Sequence, residues 1–301
     1  MKRKYLFIFV IGVLLIVYFS AVLTIENEYK SNILYKKKLI YNCSENIGEY
    51  CKNANVECID FCNSVTPDMP ERKDAIYVFG NYLNSGFMIW FPYFAILLVG
   101  CVATWNFIVN LKTGNIKNIL MRSEYKKYIR KEWFNSLKCV FIIPVFFLML
   151  FVTAIILSNG IDKENLFVNL QFWFNINENQ DIVMWIICSF LSIIFQSILW
   201  INIFYLSAKK SKNILLTVIT SYLIYIGLWL CSEVVLSKFI LTIMMGMEES
   251  KTWFVEFGEI WTGSYNSFGM VLFEFSLAFI STYLVYRSYK NKEEVLILND
   301  N

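Results

Sequence analysis

Six long apolar runs divide this chain, and polar stretches separate them. Each run has roughly the 20 residues that a helix needs to cross a hydrocarbon layer of about 30 Å. None of the runs contains Lys or Arg, and only two contain an acid, Glu233 and Glu274. The pattern predicts an all-α integral membrane protein with about six transmembrane helices, at Tyr5–Thr24, Phe87–Leu111, Cys139–Leu157, Ile182–Leu206, Ile214–Leu236 and Phe268–Tyr286.

Composition favours the same class. The chain is 57% hydrophobic and 17% charged, against roughly 45–50% and about 25% in ordinary soluble domains. A large soluble core would show apolar stripes with polar faces at helical period, whereas these runs are apolar on all sides. The first run follows Lys2, Arg3 and Lys4 as in a signal peptide. Its apolar length exceeds the roughly 7–15 residues of such peptides and no cleavage motif follows, so a retained helix is predicted.

The distribution of basic residues predicts the orientation, because cationic flanks stay in the cytoplasm. With the N-terminus inside, the inner segments hold 17 of the 27 Lys and Arg residues, and the outer segments hold 10 together with 17 acids. Both termini are therefore predicted to be cytoplasmic. The first outer segment, 25–86, is then a large extracellular loop, which we expect to form a small folded subdomain.

Four of the eight cysteines lie in that first outer loop: Cys43, Cys51, Cys58 and Cys62. An even-numbered local set on the outside favours two disulfides, whose pairing the sequence leaves open. A zinc site is the alternative, but the spacing lacks the paired C-x2–4-C knuckles typical of zinc sites. Free thiols are the third possibility.

A basic stretch between the second and third apolar runs, Thr113–Trp133, has an apolar side. Ile116, Ile119 and Leu120 share one helical face. A second apolar stripe is formed by Tyr128, Ile129 and Trp133, with cations at the intervening positions. The pattern predicts one helix, or two short helices broken near Ser123, in the cytoplasmic headgroup region. The simplest interpretation is a juxtamembrane helix held to the bilayer by anionic lipid.

Polar residues within or beside the apolar runs are further candidates. The stretch Lys238–Ser267 mixes aromatic residues with acids, and it predicts an amphipathic or partly re-entrant outer segment before the sixth helix. Glu233 and Glu274 are candidates either for a translocation path or for a satisfied structural role. Three amides are expected to join helices rather than bind substrate: Asn106, Gln196 and Asn202.

The sequence lacks the residues that several kinds of chemistry require. The chain has no histidine, which excludes Ser-His-Asp and Cys-His catalysis, His-ligated metal and histidine proton relays. It has neither a GxGxxG loop nor a P-loop, since the nearest segment, Gly258–Ser264, has no lysine. We therefore expect no enzyme activity, no metal or cofactor in this chain, and no nucleic-acid partner.

The segment Gly114–Arg122, followed by Tyr128 and Lys131, resembles the inner loop of ABC-2-type exporter permeases from Gram-positive bacteria. The layout is similar as well, with six helices, cytoplasmic termini, a large first outer loop and amphipathic outer segments before the sixth helix. The resemblance implies a permease subunit in the plasma membrane that pairs with a second copy or a homologous permease. It also implies a separate ATPase subunit, which would bind ATP and Mg²⁺ and engage Gly114, Ile116, Ile119, Arg122, Tyr128 and Lys131.

Such a permease would export an amphipathic cargo, namely a peptide, an antibiotic or a lipid-like molecule, by alternating access. Two alternatives stay open at this point. One is a stand-alone membrane receptor or immunity protein that binds an extracellular ligand through the cysteine-containing loop. The other is an intramembrane enzyme that relies on Glu233 and Glu274.

Overall fold

The structure is a computed structural model, and it describes residues 3–44, 74–121, 124–158, 160–161, 182–211, 213–248 and 267–290. The described residues are almost entirely helical and contain no strand. The α-helices are α1 (Arg3–Ser44), α2 (Ala75–Leu83), α3 (Phe91–Lys112), α4 (Asn115–Leu120), α5 (Tyr125–Leu137), α6 (Ile142–Leu157), α7 (Ile182–Lys210), α8 (Ile214–Leu230) and α9 (Ser267–Ser288).

Three further helical segments extend these elements. A 3-10 turn, Gly86–Trp90, leads into α3, and another, Lys138–Phe141, joins α5 to α6. A π-helix, Cys231–Met244, continues α8. Six helices are long and apolar enough to cross a membrane, which confirms the predicted number of such helices and the all-α class. Most ends of these six helices lie within a few residues of the corresponding ends of the predicted runs. The exceptions are ends at which the helix continues well beyond its run.

The first helix is about twice as long as the run that predicts it. α1 has 42 residues, which corresponds to about 63 Å at 1.5 Å per residue. Residues 25–44, predicted as the start of the outer loop, are therefore helical, and Cys43 lies in the last turn. The remaining three cysteines of that loop, at positions 51, 58 and 62, lie outside the described residues.

The other end of the first outer segment packs onto the bundle. α2 begins at the cap residue Asp74, whose carboxylate accepts a hydrogen bond from the backbone N–H of Tyr77 at 3.1 Å. Phe79 of α2 meets Phe151 of α6 edge to face at 5.3 Å between ring centroids. These contacts place residues 75–83 against the helical bundle.

The fifth transmembrane element also runs past its predicted end. The π-helix carries it to Met244, where Gly246 in a left-handed conformation (φ 67°) stops it. The first residues of the predicted amphipathic outer segment thus continue this helix. Residues 249–266 of that segment lie outside the described part of the chain.

α7 is the central helix of the bundle and contacts α3, α8 and α9. Its inner half is buried on nearly every side, from Leu199 to Tyr205. The close approach to α3 depends on Gly100, because a Cβ at that position would lie 2.3 Å from the ring of Phe204. The outer perimeter of the bundle is apolar, as a lipid-facing surface requires; examples are Val152, Ile219 and Phe279, all exposed.

Hydrogen bonds fix the register between α7 and α9. Gln196 bonds to Glu274, Asn202 to Ser281 and Thr282, and Lys209 to the carbonyl of Ser288. The partners are separated by 78 to 80 positions at all three levels. A constant separation means that α7 and α9 run parallel, with their C-terminal ends together. We call the end of the bundle that carries Lys112, Lys209 and Ser288 the inner end.

Candidate functional site

The basic stretch forms two short helices at the inner end, which is one of the two arrangements that its pattern predicts. α4 and α5 are separated near Ser123, and residues 122–123 between them lie outside the description. Gly114 makes the turn between α3 and α4 with φ at 71°, a left-handed conformation that residues with a Cβ adopt only at a cost. The sharp turn directs α4 away from the axis of α3.

The apolar side of both helices packs on the bundle. Ile116 is fully buried, and Ile119 is half-buried against the core. Tyr128 is buried, and its hydroxyl accepts a hydrogen bond from the side-chain amide of Asn110 at 3.4 Å. The predicted stripes are thus real, but protein rather than lipid covers these positions.

The opposite side of the two helices is cationic. Its exposed side chains are Lys117, Lys126, Lys127, Arg130 and Lys131. Arg122, which the resemblance places in the ATPase contact, lies outside the described residues. The other five residues of that set are split by the structure, with Ile116, Ile119 and Tyr128 facing the bundle, Lys131 facing outward, and Gly114 at the turn.

Asn202 joins α5 to the central helices. The side-chain oxygen of this fully buried residue accepts a hydrogen bond from the indole N–H of Trp133 at 3.0 Å. Its amide nitrogen donates to the hydroxyls of Ser281 at 3.0 Å and Thr282 at 2.9 Å. One side chain of α7 therefore holds α5 on one side and α9 on the other.

A second connection lies nearby, at Ser136 of α5. Its hydroxyl is 2.9 Å from the hydroxyl of Tyr205 and 2.8 Å from the carbonyl oxygen of Ala103 in α3. The hydroxyl of Tyr289 donates to the carbonyl of Tyr205 at 2.7 Å. Complete burial raises the pKa of Tyr289 well above its usual value, so this phenol stays a neutral donor.

Two lysine side chains donate hydrogen bonds to backbone carbonyls at the inner ends of α7 and α9. The ammonium of Lys112 donates to the carbonyls of Ala208 and Ser211, and that of Lys209 donates to Ser288 at 2.7 Å. The last carbonyls of a helix have no partner within it, and a cation is favourable at that end of the helix dipole. Both lysines therefore act as structural clamps between helices.

Comparison with protein-family models, curated proteins and solved structures gave no match. Interpretation of the site therefore rests on its geometry.

The two intramembrane acids occupy different settings. Glu274 is 2% exposed, and its Oε1 accepts a hydrogen bond from the amide of Gln196 at 2.5 Å. Its Oε2 has no hydrogen-bond partner among the described residues. Glu233 pairs with Lys238 at 3.5 Å, five positions along the π-helix. That spacing matches the i to i+5 geometry of a π-helix, so the pair stabilises this turn.

Two of the three amides expected to join helices do so, namely Gln196 and Asn202. Asn106 does not, because its side chain is exposed on α3. The sequence could not distinguish them, since α3 is apolar on all sides and gives no indication of which face is buried. No group of three or more potential metal ligands occurs in the part of the chain that the structure describes.

Sequence reasoning missed Trp133 as a hydrogen-bond donor, Ser136, and the clamp formed by Lys112. In the sequence, Trp133 belongs to an apolar stripe, although its indole N–H needs a partner when it is buried. The serine carries no signal of its own, because isolated serines are common in membrane helices. In the sequence, Lys112 is one of the basic residues that predict the orientation, and its partners follow only from the tertiary fold.

Proposed function

We propose that the protein is the membrane-spanning permease subunit of an ATP-driven exporter. A separate ATPase subunit binds the cationic side of α4 and α5, and ATP hydrolysis takes place in that subunit alone. The chain lies in the plasma membrane with both termini in the cytoplasm. A second copy or a homologous permease completes the translocation path for an amphipathic peptide, antibiotic or lipid-like cargo.

The observation that supports this proposal is the construction of the α4–α5 segment. Its cationic side is open to a partner, while its other side is fastened to the inner ends of the bundle. Hydrogen bonds from Trp133 and Ser136 reach α7, and Ser136 also reaches α3. A surface fastened in this way transmits force, because α5 cannot move without displacing or breaking these contacts.

In this mechanism, closure of the ATPase dimer displaces α4 and α5. The turn at Gly114 passes the movement to α3, and Trp133 passes it through Asn202 to α7 and α9. These helices line or support the interface between the two permease halves, which opens alternately to each side. Coupling of this kind requires an element with two arrangements that both ends influence, and α5 is the element we assign.

The test is purification of the tagged chain from its native membrane, followed by mass spectrometry of what accompanies it. We expect an ATP-binding-cassette subunit with the unaltered chain, and its loss with Arg122→Glu and with Lys131→Glu. Lys210→Glu is the matched control, because Lys210 is an exposed cation at the inner end but outside the segment. A chain that is recovered alone, with ATPase activity at background, contradicts the proposal and favours an extracellular ligand-binding role.

A further inference from the structure

A groove of about 520 Å³ lies between α5 and the last turns of α9 at the inner end. Trp133 belongs to one wall and Thr282 to the other. Both bond to Asn202, so the walls are joined at the base while the groove stays open above it. Val285 and the buried Tyr289 complete an apolar and aromatic base.

The rim of the groove is strongly cationic. Lys126, Lys127, Arg130 and Lys290 line it, together with a single acid, Glu124. All four cations are exposed, and none has an ion-pair partner among the described residues. Lys126 and Arg130 are four positions apart on α5 and therefore lie on the same helical face. Among the described residues, the rim thus carries four exposed cations against one carboxylate, Glu124.

On α9 the groove lies where the apolar run ends, which is the position expected of lipid headgroups. α9 is apolar up to Tyr286, and Arg287 is the first cation after that run. Above the groove, an exposed aromatic stripe follows α9 through Phe279, Tyr283 and Tyr286. These positions are separated by four and three residues, so they share one face of the helix. A cationic rim that continues into an exposed apolar stripe has the polarity of a phospholipid, with its headgroup at one end and its acyl chain at the other.

We propose that this groove is a binding site for an anionic phospholipid of the inner leaflet. The phosphate lies against the rim, where the guanidinium of Arg130 suits bidentate contact with phosphate oxygens. An acyl chain lies along Phe279, Tyr283 and Tyr286. A lipid in this position bridges α5 and α9 beside the Asn202 contacts, so it stabilises the position of the cationic helix. The proposal shares Lys126, Lys127 and Arg130 with the surface that the exporter proposal assigns to the ATPase, and it takes the orientation of the chain from that proposal, so it is tested on the chain alone.

The experiment uses the full chain, without any partner, in nanodiscs of phosphatidylcholine. Trace phosphatidylglycerol carrying a photoactivatable group in its acyl chain is the probe, and phosphatidylcholine with the same group is the comparison. We expect several-fold more labelling by the anionic probe, with adducts within 125–134 and 279–290. Removal of one rim cation, in Lys126→Gln or Arg130→Gln, should lower specific labelling about fivefold.

Lys131→Gln is the matched control, because Lys131 is an exposed cation on the same helix but does not line the groove. Equal labelling by the two probes overturns the proposal, as does a loss with Lys131→Gln as large as that with Arg130→Gln. Adducts of the unaltered chain outside the two segments also overturn it, whether or not the variants fold. Displacement of the probe by millimolar glycerol phosphate would assign the rim to a soluble phosphate compound instead.

The two proposals fail separately. The ATPase test uses variants of Lys131 and Arg122, whereas the lipid test uses variants of Lys126 and Arg130 on a chain without any ATPase. A chain that binds lipid but recovers no ATPase retains the lipid site and loses the exporter assignment. The reverse result retains the exporter assignment and removes the lipid site.

Discussion

Replacing Asn202 with leucine tests whether its hydrogen bonds hold the inner end together. Leucine has the same number and branching of side-chain heavy atoms as asparagine, so Asn202→Leu removes the polar contacts without opening a cavity. Three interhelical hydrogen bonds are lost, those to Trp133, Ser281 and Thr282. Such bonds in membrane proteins contribute on average about 0.6 kcal/mol each. The expected loss in the free energy of unfolding is therefore about 2 kcal/mol.

Of the three hydrogen-bond partners of Asn202, Trp133 is affected most by the substitution. The hydroxyls of Ser281 and Thr282 each donate to the carbonyl of Ala278, at 2.9 Å and 2.7 Å. They keep those bonds when Asn202 is replaced, and they lose only a donor. The indole N–H of Trp133 can only donate, and it loses the acceptor that this contact supplies. A double-mutant cycle of Asn202→Leu with Trp133→Phe should give a coupling energy of about 0.6 kcal/mol.

The assay is reversible unfolding of the purified chain in mixed micelles, followed by tryptophan fluorescence or circular dichroism. Asn106→Leu is the matched control, because the same substitution at an exposed position of α3 removes no interhelical bond. We expect it to change stability by less than about 0.5 kcal/mol. The reasoning is refuted if Asn202→Leu costs no more than Asn106→Leu, since the contacts would then contribute nothing measurable.

Three further substitutions test other parts of the fold by the same unfolding measurement. Gly100→Ala places a Cβ 2.3 Å from the Phe204 ring and should lower the free energy of unfolding by about 1–3 kcal/mol through overpacking. An unchanged stability would mean that α3 and α7 lie farther apart than the structure shows. Gly114→Ala meets no neighbouring atom but strains a left-handed residue, so a loss of about 1 kcal/mol is expected; a gain would show that the turn is not left-handed. Glu274→Gln keeps an acceptor for Gln196 and should stay within about 0.5 kcal/mol, whereas Glu274→Leu loses about 1 kcal/mol more; equal effects would exclude that hydrogen bond.

The membrane class and the number of helices could be predicted because a run of about 20 apolar residues indicates a helix surrounded by lipid. Helix ends could not be predicted in the same way. The apolar run of α1 stops at Thr24, yet residues 25–44 contain neither Pro nor Gly, so nothing in the backbone ends the helix there. Hydropathy indicates where the bilayer ends, whereas capping and helix-breaking residues determine where a helix ends. The π-helix after α8 illustrates the same point, since it continues until Gly246.

The candidate site was predictable in its surface but not in its internal contacts. The cationic and apolar stripes of residues 113–133 predict one amphipathic helix or two short ones, and the structure has two. The attachment of α5 depends on pairs such as Trp133 and Asn202, which are 69 positions apart in the sequence. A contact of that separation is set by how three helices pack, and no local pattern encodes it. A polar residue in an apolar run indicates only that some partner is needed.

The contacts of α7 divide the bundle into parts that move together and parts that can move apart. α7 and α9 are held in register at three levels along their length, so a slide of one helical turn would break every one of these contacts at once. α5 reaches this pair at one end only, through Trp133 and Ser136 among the described residues. Displacing α5 from this pair therefore breaks two side-chain hydrogen bonds, those of Trp133 and Ser136, whereas separating α7 from α9 breaks hydrogen bonds at all three levels. A displacement of α4 and α5 is accordingly expected to tilt α7 and α9 together rather than to separate them.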